Sequence, residues 1–177
     1  MHSNIKKTIP ILFLALLSLK CSKESANENL NNKTMEQNDN APKVTGIGGI
    51  FFKSKNPKAT NDWYSKNLGL EIDAYGSPFE FRNANRPDEI NYLRWSAFVD
   101  STDYFKPSAK EFMINYRVQN IEELVKNLRQ NGVTVVDTIQ KVEYGKFVHI
   151  MDNDGNKIEL WEPIDSVLTK LGGKTTK

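Results

Sequence analysis

Between residues 43 and 163 the apolar positions fall into short runs of strand type, interrupted twice by helical spacing. The first run, Ile47-Gly48-Gly49-Ile50-Phe51-Phe52-Lys53, predicts a strand. Asn56 then stands where an N-cap is needed and Pro57 at the first helical position. Thr60, Trp63, Tyr64 and Leu68 recur at helical spacing, and Gly69 is a stop signal. Three further strand-like runs follow, around 70–75, 79–82 and 90–99. The order then repeats. A strand is predicted over 112–118, and Asn120 caps a second helix with Glu123 completing a capping-box-like pair. Ile121, Leu124, Val125 and Leu128 form its apolar stripe and Gly132 ends it. Strands are predicted around 133–136 or slightly beyond, over 146–151 and over 157–162. The last two are joined by Asp152-Asn153-Asp154-Gly155-Asn156, a turn-rich link that favours a hairpin. Laying Asn56 over Asn120 places Gly49 over Met113 and Lys53 over Arg117. Two such βαβββ modules argue for one α+β domain with internal pseudo-symmetry.

The flanks have a different composition. Lys6 and Lys7 precede an apolar run over 9–19, too short to span a bilayer but suited to a signal-peptide core. Leu17-Ser18-Leu19-Lys20-Cys21-Ser22 resembles a bacterial lipoprotein cleavage site with Cys21 as the lipidated residue, although Lys20 stands where a small residue is usual. A plain secretory signal with a cysteine at its end is the alternative. Residues 22–42 are polar and expected to form a flexible tether. The expected organisation is a leader over 1–21, the tether, a folded domain over 43–163 and a loose tail over 164–177. The implied location is the cell envelope, on a membrane through a lipid anchor.

Of 177 residues, 38% are apolar, enough for a packed core. A net charge of +2 with acidic and basic residues interspersed gives no footprint for nucleic acid. Cys21 is the single cysteine, which excludes an intramolecular disulfide and a cysteine-based zinc site. His2 lies in the leader, so His149 is the one imidazole the folded part can use.

Residues 46–52, the run Asn56-Pro57-Lys58-Ala59, Trp63-Tyr64, Leu68-Gly69-Leu70 and the closing stretch 151–163 together resemble the vicinal oxygen chelate superfamily, the glyoxalase/bleomycin-resistance/dioxygenase group. The resemblance spans both modules. It implies a strongly curved eight-stranded sheet with helices outside and a ligand cup inside. In metal-dependent members the first strand of each module and the last strand of one or both supply the ligands to a divalent cation. Here those positions fall on Gly49, which has no side chain, and on Met113, a thioether poorly matched to such ions. Glu159 is the only retained candidate, because its counterpart falls near Leu93 or Trp95. The usual metal triad is therefore not expected, and no other cofactor is indicated.

Strand alternation then sorts the cup residues. With Gly49 and Met113 inward, Phe51, Lys53, Asn115, Arg117, Glu159 and Trp161 share that face, and Phe147, His149 and Met151 join them from the preceding strand. A register that keeps His149 beside Glu159 allows proton transfer between them, so these two are the catalytic candidates; the alternative is a histidine simply hydrogen-bonded in the sheet. Lys53 and Arg117 can receive an anion or can be strand-end charges. Phe51, Met113, Asn115, Trp95 and Trp161 are candidate ligand-lining residues, the aromatic ones equally candidate packing residues. Residues 100–107 join the modules and either arch over the cup or cross the surface. The expected function is binding of a small oxygenated molecule. The alternatives are a lyase, isomerase or dioxygenase-type enzyme of the same superfamily, or a cell-surface interaction module whose cup is filled by its own side chains. Oligomeric state is open, a homodimer included.

Overall fold

Asn56 accepts a hydrogen bond from the Ala59 amide at 3.0 Å, and α1 (Pro57–Leu68) starts there and ends at Gly69 in the left-handed region, φ 71°. Asn120 likewise accepts from the Glu123 amide and opens α2 (Ile121–Gln130). The expected capping box is not completed as predicted. Glu123 turns to Lys126, and Glu162 accepts the Asn120 amide instead, at 2.8 Å. The computed structural model describes residues 40–177. The leader, Cys21 and nearly all of the tether lie outside the described residues.

The remaining elements are β1 (Lys43–Ser54), β2 (Ser77–Arg82), β3 (Ile90–Val99), β4 (Phe112–Gln119), β5 (Gln140–Val142), β6 (Gly145–Met151), β7 (Lys157–Pro163) and α3 (Asp165–Leu171). The strands form one sheet in the order β2-β3-β1-β4-β7-β6-β5. The repeat predicted from sequence is visible in the pairing. β1 lies parallel to β3 as β4 lies parallel to β7, and β3–β2 and β7–β6 are both antiparallel. An antiparallel β1–β4 contact joins the halves.

The sheet has seven strands, not eight, and it is open, with β2 and β5 as its two edges rather than a curved wall around a cup. Over 133–136 only the isolated bridge Val135 to Ile150 forms, and the short strand of that half lies later, as β5; the strand missing outright is the one expected over 70–75. Only an isolated bridge, Asp73 to Gly76, forms there. The reason is visible at the outer edge of β2, where that strand would pair. Thr176 already occupies it, with its amide on Pro78 O at 2.8 Å and its carbonyl taking the Glu80 amide at 3.0 Å. Backbone groups satisfied by the chain end have no call for another strand. The tail is thus not loose as expected: it folds into α3 and then pairs through Thr176.

On one face, Val118, Val148, Ile150 and Leu160 of the sheet pack against Ile121 and Val125 of α2. The α1 half of that face is thinner. Tyr64 packs on Trp95 at 4.5 Å between ring centroids, but no residue of α1 is buried and Trp63 is 55% exposed. The predicted stripe on α1 therefore covers far less than the one on α2. The opposite face carries Phe51, Met113 and the polar residues described next.

Candidate functional site

Four side-chain positions line up across the centre of the sheet. Gly49 of β1 pairs with Asn115 of β4, Asn115 with Glu159 of β7, and Glu159 with His149 of β6. Direct partners in a ladder share a face, so the register assumed for His149 and Glu159 is the one formed. Gly48 and Gly49 make room for the neighbours. A Cβ on Gly48 would meet Asn115 Oδ1 at 2.1 Å, and one on Gly49 would meet the Phe51 ring at 2.6 Å. These two positions are bare because buried side chains from β4 and β1 lie against them.

Glu159 is buried and receives three donors. Asn115 Nδ2 donates to Oε1 at 2.6 Å, His149 Nε2 lies 3.0 Å from Oε2, and the Tyr104 hydroxyl donates to Oε2. His149 is held from its other side by Asp137, whose carboxylate lies 2.6 Å from Nδ1 and also accepts the His149 amide at 2.8 Å. Burial by itself raises the Glu159 carboxyl, but the hydrogen bonds from His149, Tyr104 and Asn115 outweigh it and hold its pKa below the ordinary value. Burial lowers His149, and the bonds to Glu159 and Asp137 reverse that, leaving it above the ordinary imidazole value. Burial beside Glu159 pushes the Tyr104 phenol well up, so it stays a donor. The chain Asp137–His149–Glu159–Tyr104 can hold and pass a proton between fixed partners.

Tyr104 reaches this row from the connector between the modules, which lies on the face rather than crossing elsewhere. Its ring stacks on Phe98 at 5.4 Å and meets His149 edge-on at 5.6 Å. Lys157 Nζ donates to the Tyr104 carbonyl at 2.7 Å, and the Ser108 hydroxyl to Gly155 O at 2.7 Å. Phe105, one residue on, is buried against Phe51 and Met113.

The other candidates divide. Asn115, Glu159 and His149 come together as expected. Phe51 and Met113 share the face but lie under Phe105. Trp161 stacks on Phe147 with centroids 5.7 Å apart and shares the face too. Trp95 does not: it pairs with Ile50 and packs among Phe52 and Tyr64 on the helix side. Lys53 and Arg117 do not converge on one anion. Arg117 pairs with Gly46, seven residues from Lys53 and so about 20 Å away along β1. Arg117 is also buried in an ion pair with Asp165, and its Nη1 donates to Tyr92 O at 3.0 Å. Asp137 was missed by the sequence reading, since it sits in irregular chain with no periodic signal. Tyr104 was visible only as part of the connector.

The residues present do not fit a divalent ion. Met113 is wholly buried among aromatic rings, Gly49 has no donor, and both Glu159 oxygens are already bonded. Among the described residues no group of three or more His, Cys, Asp or Glu is placed to hold a metal. A cleft of about 400 Å³ opens beside Asn56, Thr60 and Trp63, and none of the candidate residues lines it.

Residues 46–160 match the family model described as Glyoxalase/Bleomycin resistance protein/Dioxygenase superfamily. No curated protein matches the chain in sequence. Among solved structures, a variant of Streptomyces coelicolor methylmalonyl-CoA epimerase in complex with 2-nitronate-propionyl-CoA is similar at 13% identity and TM-score 0.52, covering 69% of this chain and 99% of that one. A methylmalonyl-CoA epimerase in complex with methylmalonyl-CoA and NH4+ is similar at 15% identity and TM-score 0.51, over 69% of this chain and 96% of the other. The epimerase from Mycobacterium tuberculosis has 19% identity and TM-score 0.47, over 71% and 93%. At these identities the likeness to the first two is one of fold.

Proposed function

Because this chain belongs to the glyoxalase/bleomycin resistance protein/dioxygenase superfamily, we propose that the face around Glu159 binds a small oxygenated molecule without a metal ion. The observation that carries this reading is the set of donors on Glu159. Asn115 and His149 come from the sheet and are fixed, whereas Tyr104 comes from the connector. A hydroxyl on a ligand makes the same bond to Glu159 as the Tyr104 hydroxyl, so one replaces the other without leaving a buried carboxylate short of a donor. Phe51, Met113 and Phe98, now under Phe105 and Tyr104, then supply apolar contact to the carbon skeleton. Calorimetric titration of the full chain with a panel of small α-hydroxy-carbonyl compounds tests it. Binding by at least one member that is lost in Glu159→Gln is expected; binding that ignores this substitution refutes it.

A second reading, an enzyme that moves a proton on such a molecule, is favoured by one observation. His149 sits between two carboxylates, Asp137 and Glu159, in the arrangement that orients an imidazole and raises its basicity. Turnover with a pH profile that Asp137→Asn shifts supports it, and absence of turnover across the panel leaves the binder.

The cell envelope is the proposed location, with Cys21 as the lipid attachment point. The support is the sequence alone, the basic start, the apolar run and the cysteine after it. Metabolic labelling with a palmitate analogue, lost in Cys21→Ala, is the expected result.

A further inference from the structure

Arg117 sits in a built socket. Its guanidinium lies over the Trp161 ring at 5.2 Å and near the Phe81 ring at 5.9 Å, with Nη1 on the Tyr92 carbonyl at 3.0 Å and Nη2 on Asp165. Asn91 donates to the same Asp165 oxygen at 3.2 Å and to Glu89 at 2.7 Å. The side chains of Arg117 and Asp165 are 4% and 11% exposed. A planar cation between aromatic rings, with an amide donor beside it, is a general design for holding one carboxylate.

The carboxylate now in it arrives on α3, which is poorly secured. No residue of α3 is buried, and its N-cap Ile164 makes no side-chain cap, whereas α2 buries Ile121 and Val125. Asp165 itself fits incompletely: Oδ1 is buried with no hydrogen-bond partner, and burial raises its pKa despite Arg117 beside it. Val167 and Leu168 are only half-buried, the Ile164 amide donates to Tyr144 O at 3.1 Å, and the other contacts of the segment are polar. Beyond Asp165 there are the Tyr92–Thr169 hydroxyl pair at 3.2 Å and the bonds of Thr176 to Pro78, Glu80, Glu71 and Ser77. Between α3 and Thr176 lie Gly172 and Gly173, at φ 65° and 112°, a backbone region glycine enters without strain. The segment is thus pinned at β7 and at the β2 edge, with a pliable joint before the second pin.

We propose that Arg117 and Asn91 form a carboxylate-binding subsite which Asp165 occupies in cis, making residues 164–176 a strap that lifts to admit an anionic ligand. Exchange of one carboxylate for another keeps the buried guanidinium paired throughout, which a neutral ligand does not. The subsite uses none of the groups on Glu159, so it stands or falls separately from the binding reading above.

Benzoate, whose ring matches the aromatic walls, is the probe, with benzamide as its neutral counterpart, titrated calorimetrically into the full chain. Asp165→Asn keeps the shape and removes the competing charge. It is expected to bind benzoate about tenfold more tightly than the wild type by relieving the closed state, with no gain for benzamide. Arg117→Gln in the Asp165→Asn background is expected to abolish the gain. An unchanged affinity in Asp165→Asn, or a gain that survives without Arg117, overturns the proposal. Amide exchange in the wild type covers the case of a variant that does not fold. Saturating benzoate is expected to speed exchange over 165–171, and unchanged or slower exchange also overturns it, since a purely structural ion pair yields nothing to the probe.

Discussion

Replacing Tyr104 with phenylalanine removes one hydroxyl and keeps the ring on Phe98. The hydroxyl donates to a buried, ionised carboxylate, and a hydrogen bond to a charged group contributes about 1.5–3 kcal/mol. Glu159 retains Asn115 and His149, and Tyr104 is 39% exposed, so water reaches part of the vacated place. The loss should therefore fall at the lower end, about 1.5 kcal/mol. Urea unfolding at neutral pH measures it as a lower midpoint with an unchanged slope. The same change frees one lone pair of Glu159 for a ligand, so a hydroxylated compound that competes with Tyr104 should bind about tenfold more tightly to the variant, equivalent to about 1.4 kcal/mol. Stability within about 0.5 kcal/mol of the wild type would refute the account of Glu159 as a carboxylate dependent on three donors. A clear stability loss with no gain in affinity would leave that account standing and sink the competition between Tyr104 and ligand.

Gly48→Ala places a Cβ 2.1 Å from Asn115 Oδ1, 2.9 Å from Trp161 and 3.0 Å from Arg117, and should cost about 1–3 kcal/mol in the same assay. Phe105→Ala should cost about 3–5 kcal/mol and, by uncovering Phe51 and Met113, increase the fluorescence of an apolar dye. Stability should also depend on pH in two limbs. Glu159, lowered in the fold, contributes above its unfolded pKa and loses that contribution as pH falls through its folded value. His149, raised in the fold, contributes fully below its unfolded pKa and loses that as pH rises through its folded value. Unfolding midpoints measured across the pH range should lose the upper limb in His149→Gln and weaken the lower one in Glu159→Gln; limbs unaffected by either substitution would contradict the assignment.

The capped helices, the closing hairpin and the βαβ order of both halves were legible because their causes are local. Asn56, Pro57 and Asn120 act on amides within one turn, and alternation in β6 and β7 needs only the strand period. The same alternation put Asn115, His149 and Glu159 on one face, and the ladder register then joined them. Alternation could not tell which face Trp95 takes, because β3 mixes polar and apolar residues at both sets of alternate positions, and only its register against Ile50 assigns them. The seventh-versus-eighth strand question was beyond the local signal too: residues 70–75 look extended, but pairing needs a free edge, and Thr176, about a hundred residues further on, holds it.

The sequence by itself therefore determined the two capped helices, six of the seven strands, the two-module repeat, the absence of side-chain donors at Gly49 and Met113, and the carboxylate and imidazole that share a face. Tertiary structure alone decided what those groups meet: Asp137 behind His149, Tyr104 and Phe105 laid over the row, and Asp165 on Arg117. Each of these contacts joins an irregular segment or a chain end to the sheet. Their positions depend on how the whole chain packs, since no periodicity in such segments says where they return.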